Sequence, residues 1–357
     1  MSRSAVRGRE PGRRRRGSLP AAAPALLLAA ALGGCEPAPR SGAALADSPQ
    51  VALLTSGPVS DAGWYAGAYE GLLMLRDSLG VAVSHQQTRT PAEFDEAFVA
   101  YADAGFDLIF AHGFEYQDAA IRAGGRHPEL TIVVSGGGRV SDNVVPLIFT
   151  LEEASYLAGM AAAGMSRTGV VGMVGGVEIP PVQGTFRAFE AGARALDPDV
   201  RVLETFIGTW DDVAAAKEAA VAQLRRGADV LIHNTDAASF GVFQAVREAR
   251  SGGAGPWIIG MNRDQNDIAP EVTLGSAVIR IPEAFLTVAR RWRAEGLEGA
   301  PVYAGLEGSV VDWVVNPAVR AAYPDALLAR IDAARDSIRS GALDVPRVAF
   351  VEGEPGR

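Results

Sequence analysis

The string "SGPVSDAGWYAG", Ser56 to Gly67, places Asp61, Gly63, Trp64 and Tyr65 side by side just after the apolar run "VALL". A second tryptophan, Trp210, stands in "GTWDD". Indole faces stack on flat rings, each stack contributing about 0.5–1.5 kcal/mol beyond area burial. Amides, hydroxyls and carboxylates read the rim of such a ring by hydrogen bonds. Side chains of this kind recur in "HGFEY" (Phe114), "HNTDA" (Asn234, Thr235, Asp236) and "GMNRDQ" (Asn262). The chemistry on offer is recognition of a flat polar molecule. Plainer roles stand beside it. A tryptophan after glycine can pack at the base of a helix, and Asp61 can cap the helix that follows. His112 and His233 follow apolar runs and read as structural groups.

The elements that must hold these residues come in two matching sets. "VALLTSGPVSDAGWYAGAYEGLLMLRDSLGVAVSH" and "VVGMVGGVEIPPVQGTFRAFEAGARALDPDVRVLE" both read strand, Gly/Pro loop, helix, short break, strand. Ala68, Leu72, Leu75 and Leu79 mark the buried face of the first helix; Phe186, Phe189, Ala193 and Leu196 mark that of the second. "AGFDLIFAHG" pairs with "RGADVLIHNT", and "TIVVS" at Thr131 with "WIIG" at Trp257. Continuous apolar strands alternating with helices predict parallel sheets buried on both faces. The expected fold is α/β: two doubly wound lobes with a ligand cleft between them, at the carboxyl ends of the strands. The loops facing that cleft are then 57–65, 111–116 and 135–139 in one lobe, and 175–183, 207–211, 233–237 and 261–265 in the other. Both tryptophans fall in such loops, one per lobe. The expected division is 48–152 plus about 273–302 for lobe one, and 153–272 plus about 303–350 for lobe two.

Catalytic signatures are missing: there is no G-x-x-x-x-G-K-[ST], no H-E-x-x-H and no G-x-S-x-G. No histidine pair has metal spacing, so neither a metal, a cofactor nor a catalytic residue is expected. Residues 1–34 read as an export signal, with seven arginines before the apolar run "AAAPALLLAAALGG". "LGGC" resembles a bacterial lipobox, which makes Cys35 the expected lipidation site. Residues 35–47 form a Pro/Ala/Gly tether. The first 35 residues hold seven of the 33 basic and one of the 42 acidic residues, leaving the remainder at −15. That charge argues against nucleic acid as a partner.

The strings "SDAGWYAGAYEG", "GFEYQDAA", "EEASYLAGMAAAGMSRTGVVGMVGG", "GTWDD" and "GMNRDQ" together resemble the basic membrane protein (BMP) family of bacterial lipoproteins, solute receptors of purine and nucleoside ABC transporters. The resemblance runs from Val51 to about Phe350. It implies the type I periplasmic binding protein fold, permease subunits as partners, and a membrane attachment through lipid alone. It also implies that Trp64 and Trp210 are the two stacking aromatics. Tyr65 stands where nucleoside binders have Asn. Asn262 stands where they have an Asp that grips the ribose, and Ile279 where they have a lysine. "GPVSDAGW" and "HNTDA" look like the branch that binds free purine bases. The expected ligand is therefore a purine base or related flat heterocycle. The alternatives are a nucleoside, a nucleoside-hydrolysing enzyme on the same scaffold, and a ligand sensor.

Overall fold

A computed structural model describes residues 48–61, 63–250 and 255–353. The expected signal, Cys35 and the tether lie outside these residues. The chain begins with β1 (Gln50–Thr55), α1 (Trp64–Leu79), β2 (Ala82–Gln87), α2 (Pro91–Asp103), β3 (Leu108–His112), α3 (Gln117–Arg126), β4 (Thr131–Ser135) and β5 (Val144–Phe149). It continues with α4 (Leu151–Met165), β6 (Val170–Gly175), α5 (Pro180–Leu196), β7 (Arg201–Phe206), α6 (Val213–Arg225), β8 (Val230–Asn234), α7 (Ser239–Arg250), β9 (Trp257–Asn262) and β10 (Thr273–Ile279). Then come α8 (Ile281–Glu295), β11 (Val302–Ala304), β12 (Val311–Val315) and α9 (Asp325–Arg339).

Two six-stranded sheets result, ordered β2-β1-β3-β4-β5-β11 and β7-β6-β8-β9-β10-β12. Every pairing is parallel except β10 with β12. Burial on both faces explains why the strands read as unbroken apolar runs. In β1, Val51 and Leu53 join one core cluster while Ala52 and Leu54 join the cluster on the opposite face. The predicted helix faces are buried too: Leu72 and Leu75 in α1, Phe186 and Phe189 in α5.

The lobes exchange chain at neighbouring crossings, and here the sequence-based boundaries need correction. β10 was expected in lobe one but lies in the second sheet. The return to lobe one begins only at α8, which packs on α1. β11 then extends the first sheet, so the third crossing follows Ala304. An apolar strand such as "TLGSAVI" fits either sheet by composition; its hydrogen bonds to β9 decide. At the crossings the Thr150 N–H donates to the Ala304 carbonyl at 3.1 Å, and the Arg280 N–H to the Val310 carbonyl at 2.7 Å.

Two of the sequence strings turn out to be structural. In "YLAG", a Cβ on Gly159 would come within 2.0 Å of the Phe189 carbonyl oxygen. Gly192 meets the Tyr156 carbonyl oxygen at 1.9 Å in the same way. α4 and α5 thus touch backbone to backbone, which only glycine permits. In "SRTG", the Ser166 hydroxyl donates to Asp229 Oδ1 at 2.6 Å, and the Arg167 and Thr168 N–H groups donate to its Oδ2. After α9 the chain runs back along the crossings to lobe one. There the Glu352 N–H donates to the Gly138 carbonyl at 2.8 Å, and Arg139 pairs with the Glu352 carboxylate. Among the described residues no helix is long and apolar enough to cross a membrane.

Candidate ligand-binding site

A cavity lies between the lobes at the carboxyl ends of the strands. The space between its walls, open solvent at the mouth included, is about 710 Å³. Lobe one supplies Trp64, Tyr65, Phe114, Glu115 and Phe149; lobe two supplies Val182, Trp210, Asn234, Asp236, Asn262 and Ile279. Every loop predicted to face the cleft contributes to this wall.

Trp64 is the first residue of α1, brought to the cleft as the chain turns at the end of β1. One face of its indole stacks on His112, with centroids 3.8 Å apart and planes 27° apart. Phe149 meets it edge-on at 5.7 Å. His112 Nε2 lies 3.1 Å from the Trp64 carbonyl; a carbonyl only accepts, so the proton sits on Nε2. Burial holds the imidazole neutral, its pKa lowered to about 3 against the help of that bond. Trp210 is set differently. Its indole rests on Gly176, where a Cβ would come within 2.3 Å of Cε3. Its carbonyl accepts from the Ala238 N–H at 2.9 Å, tying its loop to the Asn234–Ala238 turn.

Asp236 and Asn262 close the polar side of the wall. Asn262 Nδ2 donates to Asp236 Oδ1 at 3.2 Å. Both have left-handed backbones, with φ of 45° and 68°, a conformation that Asp and Asn tolerate better than other side chains. Burial, then the carboxylates of Asp61 and Glu115, push the Asp236 pKa well above the usual carboxylate value. On the other side, Ser56 Oγ donates to Glu115 Oε1. The Tyr65 hydroxyl, 2.7 Å from Ser56 Oγ, therefore donates to it. Glu115 is exposed at the mouth, and the protein flanking it still partly desolvates its carboxyl. This desolvation raises its pKa. Tyr65 is buried outright, and burial, then Glu115 and Asp236, raise its pKa well above the ordinary phenol value.

Three expected site residues stand behind the wall. Asp61, 1% exposed, accepts the N–H groups of Gly63, Tyr65 and Ala66 at 3.1, 2.8 and 2.9 Å. It caps α1, and its carboxylate is spent there. Gly63 gives α1 its entry, and Thr235 is fully buried beside His233. The sequence reading missed Phe149, Glu115, Glu152 and Phe350, which also line the cavity. Phe149 and Glu152 flank the first crossing, and Phe350 belongs to the returning tail, where its ring meets Phe114 at 6.3 Å. The crossings could have been located in the sequence from the end of the first repeat; the tail carries no repeat signal.

Two doubly wound lobes, adjoining crossings and a cavity between the strand ends define a solute receptor of the type I periplasmic binding fold. Residues 48–339 match the family model Bmp, "ABC transporter substrate-binding protein PnrA-like". The chain belongs to this family of ABC transporter solute-binding proteins. It is 27% identical over 252 residues to the ABC transporter nucleoside-binding protein BmpA of Lactococcus lactis, covering 68% of this chain and 72% of that one. It is 28% identical over 283 residues to the transcriptional activator protein med of Bacillus subtilis, covering 79% and 85%. The solute-binding protein structure from Aeropyrum pernix K1 superposes with a TM-score of 0.76 at 22% identity, covering 83% of this chain and 92% of that one.

Proposed function

We propose that the protein captures a purine base or a related flat heterocycle outside the cytoplasm and delivers it to an ABC permease. The observation that supports this is the pair Trp64 and Trp210, which line one cavity from opposite lobes. A ring held between two indoles draws the lobes together, and hinge closure is how two-lobed receptors signal occupancy. Asn234, Asp236 and Asn262 read the ring's edge. Ile279 forms an apolar wall where a charged grip on sugar hydroxyls would otherwise sit. In the same reading Cys35 carries the lipid that holds the receptor at the membrane surface; a Cys35→Ser protein that still incorporates labelled fatty acid would remove that part of it.

A nucleoside is the second reading. The Lactococcus lactis relative is named for nucleoside binding. Isothermal titration with adenine, guanine, hypoxanthine and xanthine, set beside their nucleosides, separates the two. Tighter binding of bases supports the first reading and tighter binding of nucleosides the second. Release of free base from a nucleoside would show an enzyme instead. No heat with any of the eight refutes both receptor readings.

A further inference from the structure

We infer that the cavity selects an electropositive ring: an amino-bearing or N-alkylated, cationic heterocycle in preference to an acidic oxopurine or any phosphorylated ligand. The inference deepens the purine reading above and rests on it. Its first support is charge. Three carboxyl side chains, Glu115, Glu152 and Asp236, line the cavity, and among the described lining residues there is no lysine, arginine or histidine. Two arginines stand in adjoining crevices: Arg89 beyond Tyr65, Trp210 and Asp236, and Arg347, paired with Glu153, beyond Ile148, Glu152 and Phe350. The charges that bear on Asp236 are those of Asp61 and Glu115, both acids. A bound cation meets these acids with no basic side chain on the described lining to compete with it.

The second support is independent of the acids. Six aromatic side chains share the wall: Trp64, Tyr65, Phe114, Phe149, Trp210 and Phe350. Their ring faces carry partial negative charge and attract cations, tryptophan most strongly. The third is the use already made of the donors. The Tyr65 hydroxyl donates to Ser56, the Thr185 hydroxyl to the Val182 carbonyl, and Asn262 Nδ2 to Asp236. Asn234, 7% exposed, donates through Nδ2 to Thr185 Oγ1 at 3.4 Å, and its amide oxygen has no partner among the described residues. The Asn234 amide oxygen and the carboxyl oxygens are therefore acceptors open to the ligand, beside the indole N–H groups of Trp64 and Trp210, and an exocyclic amino group or a protonated ring nitrogen complements those acceptors.

The sign of the pH dependence follows. The groups facing Asp236 are Asp61 ahead of α1, Tyr65 in α1, Glu115 after β3 and Asn262 at the end of β9; Glu152 lines the same cavity. A fixed cation favours the ionised carboxyls, so its affinity rises with pH through their titration. A neutral oxopurine held by a protonated Asp236 behaves in the opposite way.

The test is isothermal titration of the full chain with 1-methyladenosine, which is cationic at neutral pH, against adenosine, inosine and xanthosine, at about pH 5.5 and about pH 8. The expected result is 1-methyladenosine at least about tenfold tighter than inosine, with the margin widening at the higher pH. Asp236→Asn, which suits the left-handed backbone, and Glu115→Gln should each narrow it. Inosine or xanthosine binding as tightly as 1-methyladenosine would overturn the inference while leaving the purine reading in place. If only free bases bind, adenine set against hypoxanthine and xanthine makes the same comparison; if neither bases nor nucleosides bind, the purine reading fails by itself. The comparison then passes to 1-methylnicotinamide and nicotinamide, alike but for one charge, and equal affinity for these, or none for either, overturns the inference.

Discussion

Trp210→Ala separates binding from folding more cleanly than any other change in the cavity. The indole is partly exposed, and the backbone that places it is held through its own carbonyl and the Ala238 N–H. That bond survives the substitution. The loss falls on the ligand. A buried aromatic side chain covers about 150–250 Å², and one face is roughly a third of that. At about 25 cal/mol per Å² the lost face is worth about 1.3–2 kcal/mol. The stacking geometry adds about 0.5–1.5 kcal/mol. The sum, about 1.8–3.5 kcal/mol, predicts a Kd about 20- to 400-fold weaker. Titration calorimetry with the tightest purine found for the wild type reads the effect, and a thermal melt checks the fold. Trp210→Phe should recover roughly half of the lost free energy. A Kd within threefold of wild type for Trp210→Ala, with an unchanged melt, would show that this indole covers no face of the ligand.

Asp61→Ala removes three charge-assisted bonds from the first turn of α1 and should cost about 1.5–3 kcal/mol of stability in urea denaturation; an unchanged midpoint would contradict the cap. Gly192→Ala drives a Cβ into the Tyr156 carbonyl, so α4 and α5 must part, lowering stability by about 1–3 kcal/mol; a melting temperature equal to wild type would speak against that contact. The buried His112 and His233 stay neutral in the folded state, with pKa lowered to about 3 and about 4 by burial. The unfolded chain takes up protons near pH 6.5, so each costs about 1.4 kcal/mol of stability per pH unit as pH falls from about 6.5 toward its folded value. Asp236 and Glu115, with raised values, act in the opposite direction as pH falls. His112→Gln should therefore lose about 2–3 kcal/mol less than wild type between about pH 6.5 and about pH 4.5; identical pH slopes would exclude the buried neutral imidazole.

Local pattern carried much of the fold. Unbroken apolar strands, helix faces such as Leu72 and Leu75, and the internal repeat point to two parallel-sheet lobes, and the loops after those strands do meet at one cavity. What stayed hidden depends on distant partners. β10 is equally apolar on either sheet, and only its pairing with β9 assigns it. Asp61 looks like a ligand contact until its three N–H partners are seen. Glu115 sits between two aromatics in "FEY", and nothing nearby in sequence shows that Ser56, 59 residues away, donates to it. Phe350 reaches the cavity only because the tail doubles back over the crossings.

That tail gives the receptor an unusual seam. It leaves lobe two, yet its last described residues are fastened to Gly138 and Arg139 of lobe one. A Cβ on Gly138 would come within 2.2 Å of the Phe350 carbonyl oxygen, so the attachment leaves no slack at that point. Any swing of one lobe away from the other must either be small enough for the tail to follow or unfasten it. The exposed Arg139–Glu352 pair holds by only about 0–1 kcal/mol, but unfastening also breaks the Glu352 N–H bond to Gly138, uncovers the buried Val351 and carries Phe350 out of the wall. The receptor would then meet its ligand with one panel of the binding surface missing and complete that surface only as the seam is sewn shut.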